Sequence, residues 1–213
     1  MLEARINLGS CYRDLGKFRE ALSQFESALT FCQEKEIVHQ LIADALITLL
    51  KFDKAKEHHL KAIEINPSNF MNYFLLGSDY LWAGDKINAS KNFRKAIELN
   101  PNYTQSYYGL SRTEIISVSD PLAINAKNLL HSEHLSKSEH IFLNFFMAKI
   151  YENISDSELF FKHLSQGNLL KKSITNFNIE ESRIIYEKAQ GIYKNSIINL
   201  CKRPDYISSS IGK

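Results

Sequence analysis

The chain has 213 residues, 44% of them hydrophobic, with a net charge of +2 and a pI near 8.3. So mild a charge does not announce a nucleic-acid or anionic-membrane surface, and no nucleic-acid partner is expected. Only 4 prolines and 8 glycines leave little room for long linkers. Three cysteines, Cys11, Cys32 and Cys201, lack metal-ligand spacing and cannot all pair within the chain. That favours a reducing, cytoplasmic compartment. The opening MLEARINLGSCY carries no basic-then-apolar leader, and the apolar stretch 141–150 is broken by Asn144 and Lys149. A soluble protein without a membrane partner is expected.

One pattern recurs at a thirty-four-residue interval through the first hundred residues. Leu8-Gly9 with Tyr12, then Ala21, Phe25 and Ala28, form the first copy. A weaker second copy holds Ala43, Ala55, Ala62 and Pro67, and the third holds Leu76-Gly77, Tyr80, Ala89, Phe93, Ala96 and Pro101. This spacing matches the tetratricopeptide repeat. It predicts an all-α fold, a right-handed superhelical solenoid of antiparallel helix pairs, with regular units at 2–35, 36–69 and 70–103. Small residues at Gly9, Gly77, Ala21, Ala55 and Ala89 let helices approach while large residues fill the gaps around them. Leu15-Gly16-Lys17 and Ala83-Gly84-Asp85 read as the turns between helices A and B, and Pro67 and Pro101 as stops after helix B.

Beyond Pro101 the pattern loosens, and residues 104–172 read as divergent helix pairs. Tyr107, Leu110 and Ser111 continue a helix A, and Asp120-Pro121 opens a helix striped by Leu122, Ala126, Leu129 and Leu130. Ser136 and Glu139 have capping-box spacing ahead of Phe142, Phe145, Phe146, Ala148 and Tyr151, an internal helix. Ser155-Asp156 marks a turn before a helix from Phe160 to Lys172. Residues 173–213 read as a capping helix from Asn178 to about Asn195, followed by a frayed tail.

The carboxy-terminal half resembles bacterial tetratricopeptide proteins that continue into a sulfotransferase domain. The runs Tyr107 to Ser111, Leu135 to Glu139, Ala148 to Glu152 and His163 to Lys172 carry the likeness. Two positions depart from that pattern: Phe160 sits in a small register, and Lys127 sits where an aromatic would pack. The family's phosphosulfate-binding loop is not found; Ser210 to Lys213 lacks its glycine pattern, and no sulfotransferase chemistry is assigned. The resemblance implies a second reading, in which the array is the substrate-recruiting or dimerising region of a longer enzyme.

Register counting puts Arg13, Gln40, Asp44, Phe74, Ser78, Trp82, Tyr108 and Arg112 on the concave groove of such an array. Aromatic and charged groups together suit an extended peptide or protein partner. Ile6 and Ser10 replace the lysine and asparagine of chaperone-peptide grooves, and Asn7 is followed at its register by Leu41 and Leu75 rather than by an asparagine ladder. His131 and His134, with Glu133 and His140 nearby, read as a polar helix end rather than a metal site. The neighbours His58 and His59 are not helically spaced, and every carboxylate falls at an exposed register. The expectation is a non-catalytic adaptor without metal or cofactor, with a homodimer through the carboxy-terminal helix as its further association.

Overall fold

The computed structural model describes residues 2–31, 35–132 and 134–175, and among them the backbone forms ten α-helices and no strand. In chain order these are α1 (Leu2–Asp14), α2 (Phe18–Leu29), α3 (Glu36–Thr48), α4 (Phe52–Ile65) and α5 (Phe70–Trp82). There follow α6 (Lys86–Leu99), α7 (Thr104–Ser111), α8 (Pro121–Leu130), α9 (Lys137–Asn153) and α10 (Ser157–Ile174). The chain divides into two units, Met1–Lys171 and Lys172–Lys213. Only residues 172–175 of the second are described, so the expected capping helix from Asn178, its dimer contact and the tail lie outside the described residues.

The A-to-B turns of the three regular repeats close in the same way. The Gly16 amide donates to the Arg13 carbonyl (2.9 Å) and the Lys17 amide to the Tyr12 carbonyl (2.8 Å). The pair recurs as Leu50 to Ile47 (2.9 Å) with Lys51 to Leu46 (2.8 Å), and as Gly84 to Leu81 (3.1 Å) with Asp85 to Tyr80 (2.9 Å). These are Schellman closures, which need a left-handed residue at the corner. Gly16 and Gly84 supply it with φ of 73° and 81°, but repeat two puts Leu50 there at 59°. Ser155 takes the same role after α9, at 58°.

Helix starts are equally local. Asn69, Asp85 and Asp120 each accept a backbone amide as N-caps of α5, α6 and α8, and Pro121 fills the first position of α8. Ser136 and Glu139 form the reciprocal capping box of α9. The last described helix begins at Ser157, three residues before the expected Phe160. Asp156 Oδ1 accepts the Leu159 amide at 3.1 Å, and that places the start one turn earlier.

Packing follows the small-large logic, with the ring of helix B as the large partner. Ala21, Ala55 and Ala89 are wholly buried. A Cβ added to Gly9 would fall 2.5 Å from the Phe25 ring, so the ring packs closely against bare backbone. Phe93 is held from both sides: a Cβ on Gly77 would meet it at 3.0 Å and one on Gly109 at 2.7 Å. One apolar cluster joins α2, α3 and α4 through Phe25, Ile42 and Ala55. A second runs from Ala89 and Phe93 through Tyr107 and Leu110 to Phe146 and Ile150. Polar groups separate the two, for His59, Asp79 and Asn72 are buried at the α4–α5 junction.

The fourth unit departs from the regular pairs because α7 is only 8 residues long. It packs mainly against α6 and α9, and α8 packs against α9. Tyr107 joins the pieces: its hydroxyl donates to the Pro101 carbonyl (2.9 Å) and accepts from Asn125 Nδ2 (2.5 Å), while its ring meets Phe146 edge-on.

Candidate functional site

Helices α1, α3, α5 and α7 are the A helices. Positions 40, 74 and 108 share one register, and 44, 78 and 112 lie one turn further along the same face. The Ser78 hydroxyl bonds back to the Phe74 carbonyl (2.9 Å), as Thr48 does to Asp44 (3.1 Å), so those side chains fold along their helices.

Two kinds of residue occupy the register-counted face. Phe74 is half-buried against Phe93 (centroids 5.9 Å apart) and edge-on to Tyr103 (5.0 Å). Tyr108 packs on Phe142 (5.8 Å) and Phe145 (6.0 Å). Those rings join adjacent units. Gln40 is half-buried and donates to Asn72 Oδ1 at 2.6 Å. Arg13, in the last turn of α1, reaches Asp14 at 3.4 Å. In contrast, Trp82 is 74% exposed, and Asp44 and Arg112 are exposed with no side-chain hydrogen bond or ion pair to the described residues.

Behind this face lies an amide cluster that periodicity does not reveal. The Glu36 carboxylate accepts from Gln40 (3.3 Å), Asn66 (2.7 Å), Asn72 (2.8 Å) and Asn69. Four side-chain amides thus satisfy one carboxylate where repeat two meets repeat three. The signal in the sequence was the asparagine density around Pro67, where Asn66 and Asn69 also serve as turn and cap residues.

The adjacent histidines correct the sequence expectation. His59 is fully buried and its Nδ1 lies 2.5 Å from Oδ2 of Asp79, itself 3% exposed. Asp79 is therefore a carboxylate at a buried register, and it bridges α4 to α5. His58 points the other way and pairs with His39 of α3, with the two Nδ1 atoms 2.9 Å apart. Burial, then the neighbouring His39, Lys61 and His59, push its pKa down to about 4. Adjacent residues on a helix diverge by about 100°, so each ring meets a different neighbour. Among the described residues no three His, Cys, Asp or Glu side chains gather as a metal would require, and no helix is long and apolar enough to cross a membrane.

The segments 2–34, 38–69 and 72–103 each match the tetratricopeptide-repeat profile. Residues 2–103 hold three tetratricopeptide repeats. No curated protein sequence matches the chain. Similar solved structures include MamA 41-end from Desulfovibrio magneticus RS-1, 16% identical, with a TM-score of 0.60 over 82% of this chain and 97% of that one. The Arabidopsis OM64 tetratricopeptide domain is 20% identical, with a TM-score of 0.51 over 53% of this chain and 93% of its own. The first tetratricopeptide domain of Spaghetti (RPAP3), bound to the HSP90 peptide SRMEEVD, is 21% identical, with a TM-score of 0.51 over 53% and 89%. At such identities the likeness is one of fold. The profile matches stop at residue 103, and the resemblance of the later segments to sulfotransferase-linked arrays gains no support from these comparisons.

Proposed function

We propose that the protein is a non-catalytic interaction module whose A-helix face receives an extended peptide segment of a partner protein. The observation that carries this reading is the outward presentation of Asp44, Trp82 and Arg112. An indole and two charges of opposite sign lie in adjacent registers, while the rings behind them are fixed by packing. Solvent-facing indole and guanidinium groups are the side chains that most often anchor a partner. The Spaghetti domain supports the reading, since the same fold there is bound to a peptide.

The test is selection of a random peptide display library on the full chain, followed by fluorescence polarisation with the enriched peptide. Trp82→Ala and Arg112→Glu are each expected to weaken it by at least about tenfold, or 1.4 kcal/mol. Failure to enrich any peptide, or an affinity in both variants equal to that of the unsubstituted chain, refutes the reading.

A further inference from the structure

A cavity of about 770 Å³ opens between α8, α9 and α10, away from the A-helix residues considered above. Its described lining contains five basic side chains and no carboxylate: Lys127 and His131 from the end of α8, His140 from α9, and Lys162 and His163 from α10. Leu130, Leu159, Leu169 and Leu170 supply an apolar wall. Of the acidic groups next to lining residues in sequence, Glu139 accepts from the Ser136 amide (2.7 Å) and hydroxyl (2.6 Å), Glu152 pairs with Lys149 (2.5 Å), and Glu158 is exposed and does not line the cavity. Neither Lys127 nor Lys162 makes an ion pair with the described residues.

The floor is ordered in detail. Asn144, 4% exposed, donates through Nδ2 to the His140 carbonyl (2.9 Å), which turns its Oδ1 toward His163 Nδ1 (2.9 Å). His163 therefore donates from Nδ1 and keeps Nε2 for another partner. Its ring is stacked on Tyr151, with an interplanar angle of 12° and centroids 5.4 Å apart. Burial first, then Lys162 and Lys127, hold its pKa below the ordinary histidine value, so both ammonium groups act on one point.

We propose that this cavity binds a small organic anion, a phosphate monoester carried on an apolar body. Its volume lies in the range of small-molecule sites, about 300–1,000 Å³. Converging unneutralised cations suit a dianion, and the leucine wall suits a short hydrocarbon chain. A bound anion would offset the repulsion between Lys127 and Lys162, and would favour the protonated form of His163.

The test is calorimetric titration of the full chain with n-hexyl phosphate, inorganic phosphate and hexanol. Hexyl phosphate is expected to bind with Kd below about 1 mM, phosphate about tenfold more weakly, and hexanol undetectably up to about 5 mM. The double variant Lys127→Gln/Lys162→Gln changes two exposed side chains and should lose at least about tenfold in affinity with an unchanged thermal melt. A second variant, His163→Gln, which removes the stacked ring from the cavity floor, should also weaken hexyl phosphate binding. No binding of hexyl phosphate at about 5 mM, hexanol binding as well as its phosphate, or an undiminished affinity in the double variant overturns the proposal.

Discussion

Replacing Leu50 by glycine should make the protein more stable, although it removes a large hydrophobic residue. Leu50 occupies the turn corner held by Gly16 and Gly84 in the flanking repeats, at φ 59°. A left-handed conformation costs an L-residue about 1–2 kcal/mol. The side chain returns little of that, being 74% exposed. Glycine gives back about 0.4–1 kcal/mol through the added freedom of its unfolded chain. The balance is a stabilisation of about 0.5–1 kcal/mol, or roughly 1–4 °C in Tm for a chain of this length. Gly84→Ala is the matched control. Nothing lies within 4 Å of its would-be Cβ, so only the backbone term acts, and that variant should lose stability. Thermal and urea unfolding followed by circular dichroism read both changes. A lower Tm for Leu50→Gly, or an unchanged one for Gly84→Ala, would show that the corner conformation is not the controlling term.

Gly109→Ala acts by crowding instead: its methyl would meet the Phe93 ring at 2.7 Å while Gly77 blocks retreat, at a cost of about 1–3 kcal/mol in urea unfolding. Asp79→Ala strands the buried His59 ring and should cost about 3 kcal/mol, whereas His59→Leu with Asp79→Leu should recover much of it; a double-mutant cycle without coupling would refute the pairing. The depressed His58 pKa gives a pH prediction. Folding disfavours the charged ring, so its contribution is fully present above the unfolded value near 6.5 and is lost as pH falls toward about 4. Half-exposure limits the loss to on the order of 1–2 kcal/mol, and His58→Gln should flatten the stability profile across that window.

The helices, turns and caps were legible because each is written in a few neighbouring residues. Gly16, Gly84, Asp120-Pro121 and Ser136 with Glu139 specify backbone geometry locally, and the interval of the repeat aligns them. The corner at Leu50 is not legible because a leucine side chain gives no hint of a left-handed backbone; only its alignment with Gly16 and Gly84 does. The polar pairings were illegible for another reason. His39 meets His58 across 19 residues and His59 meets Asp79 across 20, distances set by how helices cross and not by any period within one helix. The basic cavity draws on three helices, and its lysines look like ordinary solvated residues until those helices are placed together. Two of the rings expected on the groove, Phe74 and Tyr108, are engaged with neighbouring units, because one register must serve both a surface and the contact between repeats.

The double clasp on Phe93 bears on how the array comes apart. One ring, carried by α6, fills the space left open by Gly77 on α5 and by Gly109 on α7. In a stacked array, neighbours are coupled by whatever they share, and here three successive helices share a single side chain. Helix α7, at 8 residues, is too short to persist in water without such support. Its amides should therefore exchange with solvent only when α6 opens, as one cooperative block rather than as a fraying end.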